Sequence, residues 1–515
     1  MESVVTTKTL NVPLNRAEGD LEIRVELEGN RIIDTWSTGV MFRGIENLLC
    51  GRGAYDGLVI TPRICGICGT AHLAAASMAL DAISGVTPPP NAIMIRNLAL
   101  MTEHIQSDMR HAFLMYLGDF VNPAFRNQPL FAEAERRYTP FKGDSFVNAI
   151  RHTRDILKIV AIIGGQWPHS SYMVPGGVVT LPSANDLAQC RYLLEGYIAW
   201  YEERVLGCSL DRWLEVAGMA DLDAWLNESD AHANSELGFY LRYARAIGLD
   251  RLGAGHGNFI SYGQLDIPEG SGVRSRIAGS GRLVPAGFAR GTEVEPFDAM
   301  RITEHVKHSW YQGKEDGVHP SVSTTLPYAT GEESQKYSWV KAPRYNDLPA
   351  ETGPLAEMVI SAHPLITEMV NRNGPSALVR ELARLIRPAE LMPAMRRWLD
   401  EIDPEKPFYN STENKVVVGE GFGLTQASRG ALGHWVKIKN KTIEHYQVIT
   451  PTSWNGSPRD ANGVRGPWEE ALAGTTIEDP ENPVEIGLIV RSFDPCLVCA
   501  VHAVRGPKSL FRTTV

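Results

Sequence analysis

Two Cys-x-x-Cys pairs, Cys65/Cys68 near one end and Cys496/Cys499 near the other, constrain this 515-residue chain more than any other feature. If both pairs serve one metal, the fold must bring its two ends together around four thiols. The spacing alone leaves three readings open: a closed tetrahedral zinc staple, a redox dithiol, or unrelated core cysteines. Seven cysteines are an odd number and too few for a disulfide scaffold, which favours a reducing compartment with thiols used for chemistry or metal. Cys190 lies on an apolar helical stripe and, with Cys208, reads as a small core hydrophobe, whereas Cys50 stands alone.

Composition removes several classes of function. Sixty acidic against fifty basic residues give a net charge of -10, so no polyanion-binding surface is suggested and nucleic acid is not an expected partner. No uninterrupted apolar run approaches the ~20 residues of a membrane helix, and the N-terminus has no basic segment followed by an apolar one. A soluble chain with no export signal of its own is expected, and with 43% hydrophobic residues it can bury a large core.

The pattern along the chain predicts a mixture of helices and sheets. Leu21 to Leu27 alternates apolar and charged residues, and Gly29-Asn30 before a second extended run through Trp36 signals a hairpin. Asn91 to Gly118 carries Met94, Leu98, Met101, Ile105, Ala112 and Tyr116 at helical spacing and predicts a long buried helix. A second helix follows Ser183, with Leu187, Cys190, Leu194, Ile198, Tyr201 and Val205 on one stripe. From about Ala254 to Arg344 the chain is rich in Gly, Ser, Pro and aromatics without period, and long ordered loops are expected there. Helical pattern returns from Pro375 to Ile402; Val416 to Val418 and Val436 to Ile449 read as strands, the latter folded back at Asn440-Lys441. A last helix with Asn482 as cap and Pro483 at its first position delivers the second cysteine pair. No internal repeat, low-complexity tract or domain boundary is evident.

Context moves the metal reading away from zinc. The first pair lies in Thr61-Pro-Arg-Ile-Cys-Gly-Ile-Cys-Gly-Thr-Ala-His72, the second in Arg491-Ser-Phe-Asp-Pro-Cys-Leu-Val-Cys-Ala-Val-His502, each followed by a histidine at a short offset. These closely resemble the N- and C-terminal signatures of nickel-iron hydrogenase large subunits. Further motifs of that family follow in order: Arg16-Ala-Glu-Gly-Asp20, Met41-Phe-Arg-Gly-Ile-Glu46, Ser338-Trp-Val-Lys-Ala-Pro-Arg-Tyr345, Ser428-Arg-Gly-Ala-Leu-Gly-His-Trp435 and Pro451-Thr-Ser-Trp-Asn455. The resemblance spans essentially the whole chain, and the wording is most similar to the uptake-type and sensory-type cytoplasmic group.

What the resemblance implies can be carried over residue by residue. Cys65 and Cys496 match terminal nickel thiolates, and Cys68 and Cys499 match thiolates bridging nickel to an iron that holds one carbon monoxide and two cyanides. Soft sulfur suits a redox-active metal, whereas zinc has no redox change to offer. Heterolysis of H2 needs a metal and a base; by resemblance Cys496 is that base and Glu18 receives its proton. Arg429 matches the arginine over the open metal position, and Asp494 its partner. Thr452 matches the hydroxyl on an iron cyanide, and His72 the histidine beside a bridging cysteine. Glu46, the backbone carbonyl of Val448 and His502 match the ligands of a Mg2+ ion, with Lys341 and Gln447 around it. Bare of context, Glu18 and Arg429 would read as a surface carboxylate and a salt-bridge partner.

There are departures from the family pattern. Asp20 stands for the usual histidine, Ser107 for an aspartate near Arg429, and Gln426 and Ser428 for Glu and Pro. Asp108 would face another side of its helix. None removes a metal ligand.

The implied fold is α+β: one large domain over 1–502 with a central long-helix bundle and peripheral β-sheets, its two ends meeting at a buried metal site. Residues 503–515 resemble an extension that a maturation protease removes between His502 and Ala503 after nickel-insertion proteins load the site. The implied enzyme is a hydrogenase working mainly toward H2 oxidation, cytoplasmic or membrane-associated through partners. No iron-sulfur cluster spacing is present, so an iron-sulfur small subunit is expected to carry electrons, in a heterodimer or a higher oligomer of it. A hydrogen sensor, a metal-free respiratory-complex subunit and a zinc-stapled structural protein are the competing readings. The tail after His502 argues against the first, and the four cysteines against the second.

Overall fold

The computed structural model describes residues 7–312, 316–330, 335–413 and 415–500. The alternating N-terminal run builds an antiparallel sheet of β1 (Thr7–Pro13), β2 (Leu21–Glu28) and β3 (Arg31–Gly39), turning at Gly29-Asn30 as expected. Ile23, Val25 and Leu27 point inward on β2 and pack on Ile486, Ile489 and Val490 near the other end of the chain. The two termini of the described chain therefore share one core before any site is considered.

Four long helices supply the centre: α1 (Gly69–Ser84), α2 (Pro90–Arg110), α3 (Ala184–Trp200) and α4 (Ala377–Glu401). Pro90 begins α2 where its missing N–H costs nothing, and the helix is buried almost all round, as a central helix should be. The helix expected to reach Gly118 stops its α-type bonding at Arg110 and continues as a π-helical turn, His111–Tyr116, and a 3-10 turn, Leu117–Val121. Ser183 and Asp186 form a reciprocal capping box at the start of α3, and a π-helical turn over Tyr201–Leu206 keeps Tyr201 and Val205 buried. α4 packs along α2 and buries Arg380, Glu381, Arg384 and Arg387 among its leucines.

Strands occupy part of the region expected to be loops. β4 (Asn258–Asp266), β5 (Arg282–Arg290) and β6 (Glu293–Glu295) form an antiparallel sheet. β4 is buried on both faces over most of its length, so it has no alternation to detect, and Gly263 and Pro285 disguise the pair further. A second meander, β7 (Gly419–Ala427), β8 (Gly430–Lys439) and β9 (Thr442–Ile449), turns at Asn440 and Lys441 with φ of 53° and 60°, the left-handed pair that a two-residue hairpin demands. The strand expected at Val416 to Val418 begins instead at Gly419. Its glycines serve α1: a Cβ at Gly423 would stand 1.9 Å from the carbonyl oxygen of Ala75.

Three helices near the end of the chain frame the site, α5 (Pro451–Asn455), α6 (Val484–Ser492) and α7 (Leu497–Ala500). Asn482 does not cap α6; its side chain exchanges hydrogen bonds with Asn122, at 2.8 and 3.2 Å. The result is a single domain of mixed helices and antiparallel sheets, in keeping with the α+β expectation.

Candidate active site

The site begins with a backbone seam. The Glu18 amide donates to the Pro495 carbonyl at 3.2 Å, and the Leu497 amide donates to the Glu18 carbonyl at 2.6 Å, a short parallel bridge between Glu18 and Cys496. Gly19 permits it: φ is +92°, and a Cβ there would lie 3.0 Å from both Leu497 Cβ and the Val498 nitrogen. Only glycine fits that conformation and that gap without strain.

The seam sets Cys496 against the first cysteine loop, with its Sγ 3.7 Å from Cys65 Sγ. Two sulfurs each ~2.3 Å from a shared tetrahedral metal stand ~3.8 Å apart, so this spacing fits thiolate coordination. The amides of Ile67 and Cys68 donate to Cys65 Sγ at 3.3 and 3.4 Å, bonds that favour a thiolate. Cys65, Cys68 and Cys496 are all buried. The Cys499 side chain and all of His502 lie outside the described residues. Among the described residues no three His, Cys, Asp or Glu side chains converge closely enough to hold a metal ion.

Arg429 sits in the tight turn between β7 and β8, a location that fixes its backbone. Its Nε donates to Asp494 Oδ1 at 3.0 Å, while Nη1 is buried with no hydrogen-bond partner among the described residues. Burial works against the charge, but Asp494 and then the Cys496, Cys65 and Cys68 sulfurs hold the guanidinium well above its usual range. Asp494 is held far below the usual carboxylate range: burial opposes ionisation, and Arg429, His111 and Arg384 outweigh it. Its contacts are His111 Nδ1 at 3.0 Å and Arg384 Nη1 at 3.1 Å. Asp494 adopts φ of 57°, a costly conformation for a non-glycine residue.

Glu18 is half-buried, and burial raises its carboxyl, with the Cys65 charge adding to the effect and Arg429 opposing it. Thr452 Oγ1 accepts the Cys496 amide at 3.0 Å, which leaves its own proton to donate elsewhere. His72 Nδ1 is 3.0 Å from His434 Nε2, and His434 Nδ1 is 2.9 Å from the Tyr446 hydroxyl, a buried chain leading from α1 through β8 to β9. Glu103 on α2, which no sequence motif singles out, accepts the Thr70 and Ala71 amides at 2.9 and 3.1 Å and so anchors the start of α1. Burial pushes its carboxyl up to about 7.

A second polar cluster surrounds Glu46. Glu46 Oε1 accepts the Val448 amide at 3.0 Å, and Oε2 accepts the Thr325 hydroxyl. Lys341 Nζ donates to Thr325 Oγ1 at 2.9 Å and lies 3.8 Å from Glu304, which Gln447 reaches at 3.2 Å. The structure thus gathers Glu46, Val448, Lys341 and Gln447, and adds Glu304 and Thr325. Those two lie in aperiodic segments, where nothing in the sequence marks them.

Ser107 and Asp108 behave as their helical phase implies. Ser107 is buried and its hydroxyl has no partner among the described residues. Asp108 turns to α4, meeting Arg384 at 3.2 Å and Arg387 at 2.7 and 2.8 Å. Arg387 also bonds Glu357 and the Ser428 carbonyl beside Arg429. Arginine and aspartate buried on a helix that also carries leucines were the only signal of this ion network.

Buried thiols drawn from both ends of an α+β chain, under a clamped guanidinium, are the arrangement of a thiolate-ligated redox metalloenzyme. Comparison with known proteins makes the class specific. The profile of the nickel-dependent hydrogenases matches residues 43–137 and 143–502. The periplasmic [NiFeSe] hydrogenase large subunit of Desulfomicrobium baculatum is 33% identical over 96% of this chain and 94% of its own. The uptake hydrogenase large subunit of Rhodobacter capsulatus is 29% identical over 95% of this chain and 94% of its own. Among solved structures, the H2-activated [NiFeSe]-hydrogenase of Dm. baculatum superposes with a TM-score of 0.80 at 31% identity, covering 96% of this chain and 100% of that one. The reduced Ni-Fe-Se hydrogenase of D. vulgaris Hildenborough gives 0.78 at 28% identity, covering 96% and 100%. The chain belongs to the nickel-dependent hydrogenase family. It is a catalytic large subunit, an oxidoreductase, and none of its described helices is long and apolar enough to cross a membrane.

Proposed function

We propose that this subunit cleaves H2 heterolytically and reversibly, mainly in the oxidising direction, at a nickel-iron centre held by Cys65, Cys68, Cys496 and Cys499. The observation that carries the reading is the 3.7 Å separation of the Cys65 and Cys496 sulfurs, with Arg429 held near them by Asp494. When bound, the centre, whose iron carries one carbon monoxide and two cyanides, supplies the Lewis acidity and redox change that the reaction needs. Cys65 and Cys496 would hold the nickel, and Cys68 and Cys499 would hold nickel and iron together.

Cys496 Sγ takes the proton released from H2, and the Glu18 carboxyl receives it. Its raised affinity for protons and its backbone seam with Cys496 suit that task. Arg429 presents a fixed cation to charge developing at the open side of the site, and Asp494 fixes its plane. Thr452, already accepting the Cys496 amide, would have its hydroxyl proton to give to an iron cyanide. His72 braces the bridging cysteine. Glu46, the Val448 carbonyl and His502 would hold Mg2+, with Lys341 and Gln447 around them.

The uptake direction rests on the uptake-type relatives. Electrons leave through an iron-sulfur small subunit, because this chain has no cluster-binding spacing of its own; the assembly is a heterodimer or a higher oligomer. The functional domain is 1–502, and 503–515 is removed by a maturation protease after nickel-insertion proteins have acted. The expected location is cytoplasmic, or membrane-associated through partners.

Metal analysis and infrared spectroscopy of the purified heterodimer test the reading. Nickel is expected, with iron in excess of it because the small subunit's clusters add to the iron of the site, together with cyanide and carbonyl bands that vanish in Cys499→Ala. Zinc alone in fully matured protein, with no such bands, would overturn it.

A further inference from the structure

Arg429 sits in the two-residue turn Ser428-Arg429 between β7 and β8, and groups outside that turn hold it at two points. Asp494 Oδ1 accepts its Nε at 3.0 Å, and the Ser428 carbonyl, on the peptide that leads into it, accepts Arg387 Nη2 at 2.7 Å. The Asp494 carboxylate is itself flanked: His111 Nδ1 lies 3.0 Å from Oδ1, and Arg384 Nη1 lies 3.1 Å from Oδ2. Arg384 and Arg387 are three residues apart on α4 and therefore share a face of it. One carboxylate from α2 meets both. Asp108 Oδ1 accepts Arg384 Nη1 at 3.2 Å and Arg387 Nη2 at 2.7 Å, and Oδ2 accepts Arg387 Nε at 2.8 Å.

Both arginines take their direction from Asp108. Two nitrogens of Arg387 on two oxygens of one carboxylate fix the guanidinium plane, and Glu357, from the helix Pro354–Ile360, accepts Nη1 on both oxygens at 3.0 Å. The second proton of Nη2 then points at Ser428. Arg384 Nε has no hydrogen-bond partner among the described residues and stands 3.8 Å from Glu381, so the orientation of Arg384 rests on Nη1, between Asp108 and Asp494. Arg384, Arg387, Arg429, Asp108, Glu357 and Asp494 are all buried, and their charges balance. Desolvation offsets the attraction in such a cluster, so its net stability is small and what it supplies here is a fixed arrangement of side chains.

On the hydrogenase reading above, we propose that Asp108 is the positioning residue of Arg429 and sets that arginine through two arms. Through Arg384 it stops the Asp494 carboxylate from turning, which fixes the plane of the Arg429 guanidinium. Through Arg387 it pins the Ser428 carbonyl, which fixes the turn from which the Arg429 side chain starts. Asp108 acts through these residues and takes no part in the chemistry itself. Misplacement of a group by about 1 Å at a reacting centre can cost ~100-fold in rate, so a residue that holds only the holders of Arg429 still governs turnover.

The test uses the heterodimeric holoenzyme and its Asp108→Asn, Arg429→Met and double variants, with metal content and the cyanide and carbonyl bands checked in each. Asp108→Asn should lower kcat by ~10- to 100-fold at full metal loading. The double variant should be no slower than Arg429→Met alone, because nothing is left for Asp108 to place. A crystal structure of Asp108→Asn should show the Arg429 guanidinium displaced from Asp494. Wild-type kcat in Asp108→Asn, losses that multiply in the double variant, or an unmoved Arg429 would each overturn the proposal. Should Asp108→Asn fail to assemble, Arg387→Lys decides by the same readouts, since one ammonium cannot meet Asp108, Glu357 and the Ser428 carbonyl as the guanidinium does. A fully loaded wild type with no H2 turnover would defeat the hydrogenase reading, and the displacement of Arg429 in the crystal would then judge the positioning by itself.

Discussion

Arg43 donates from one guanidinium nitrogen to the Val498 carbonyl at 3.1 Å, and the same nitrogen reaches the Ile64 carbonyl at 2.5 Å. Its other terminal nitrogen bonds the Arg63 carbonyl at 2.8 Å, so one side chain clasps both cysteine loops. Charge-assisted bonds of this kind contribute ~1.5 to 3 kcal/mol each, and alanine supplies none of them. Arg43→Ala should therefore lower the nickel stoichiometry of purified heterodimer and its thermal midpoint, whereas Arg52→Ala, which removes one exposed bond to Leu48, should do neither. Equal nickel in both variants would show that the clasp is dispensable.

Glu18 allows its chemistry to be separated from its structural part, because the seam with Cys496 uses only its backbone. Glu18→Gln should keep the cysteines in place and the metal loaded, yet reduce H2 oxidation by ~100- to 10,000-fold. Glu18→Asp, with a shorter reach, should fall between. Metal analysis beside turnover rates distinguishes this from a folding defect, which would lower both together.

Arg429→Lys preserves charge but not geometry. A single ammonium can meet Asp494 or face the thiols, while the guanidinium does both through different nitrogens. The expected outcome is a kcat reduced by ~100- to 1,000-fold with metal content unchanged. Rates within a few-fold of wild type would remove Arg429 from the catalytic group.

Glu469 predicts a dependence of stability on pH. It is fully buried, accepts the Ser37 amide at 3.0 Å and the Tyr337 hydroxyl at 2.7 Å, and burial pushes its carboxyl up to about 7. The folded value lies above the unfolded one near 4.5, so the fold favours the protonated form. The stability it contributes is complete below the unfolded value and is lost as pH rises through about 7, a loss of about 3 kcal/mol at most. Glu469→Gln stays neutral and can accept both bonds. Thermal midpoints of the variant should rise relative to wild type between about pH 4.5 and 7 and run parallel above. A constant offset across that range would rule out Glu469 as the group responsible.

How far the sequence could be read depended on how residues advertise burial. The β2–β3 hairpin, α3 and the Asn440-Lys441 turn were legible because one face is wet and the other dry, or because the turn needs particular residue types. β4 and β5 were hidden by burial on both faces, and β7 by glycines that make room for α1. At the site, Cys65, Cys68, Cys496, Glu18, Arg429 and Asp494 were found through motif resemblance. His111, Glu103, Arg384 and Glu381 were not, because a polar residue inside an apolar helix gives no sign of which charged partner awaits it in the fold.

The Cys65–Cys496 contact joins residues 431 positions apart, which has a consequence in time. At synthesis rates of ~5 to 20 residues per second, roughly 20 to 90 s separate the emergence of the two thiols from the ribosome. The Glu18 seam and the Arg43 clasp to Val498 cannot form before that interval ends. Until it ends, Cys65 has no Cys496 sulfur to meet. The four-thiol site thus cannot close before Cys496 has followed Cys65 by 431 residues, so it belongs to the late stages of folding.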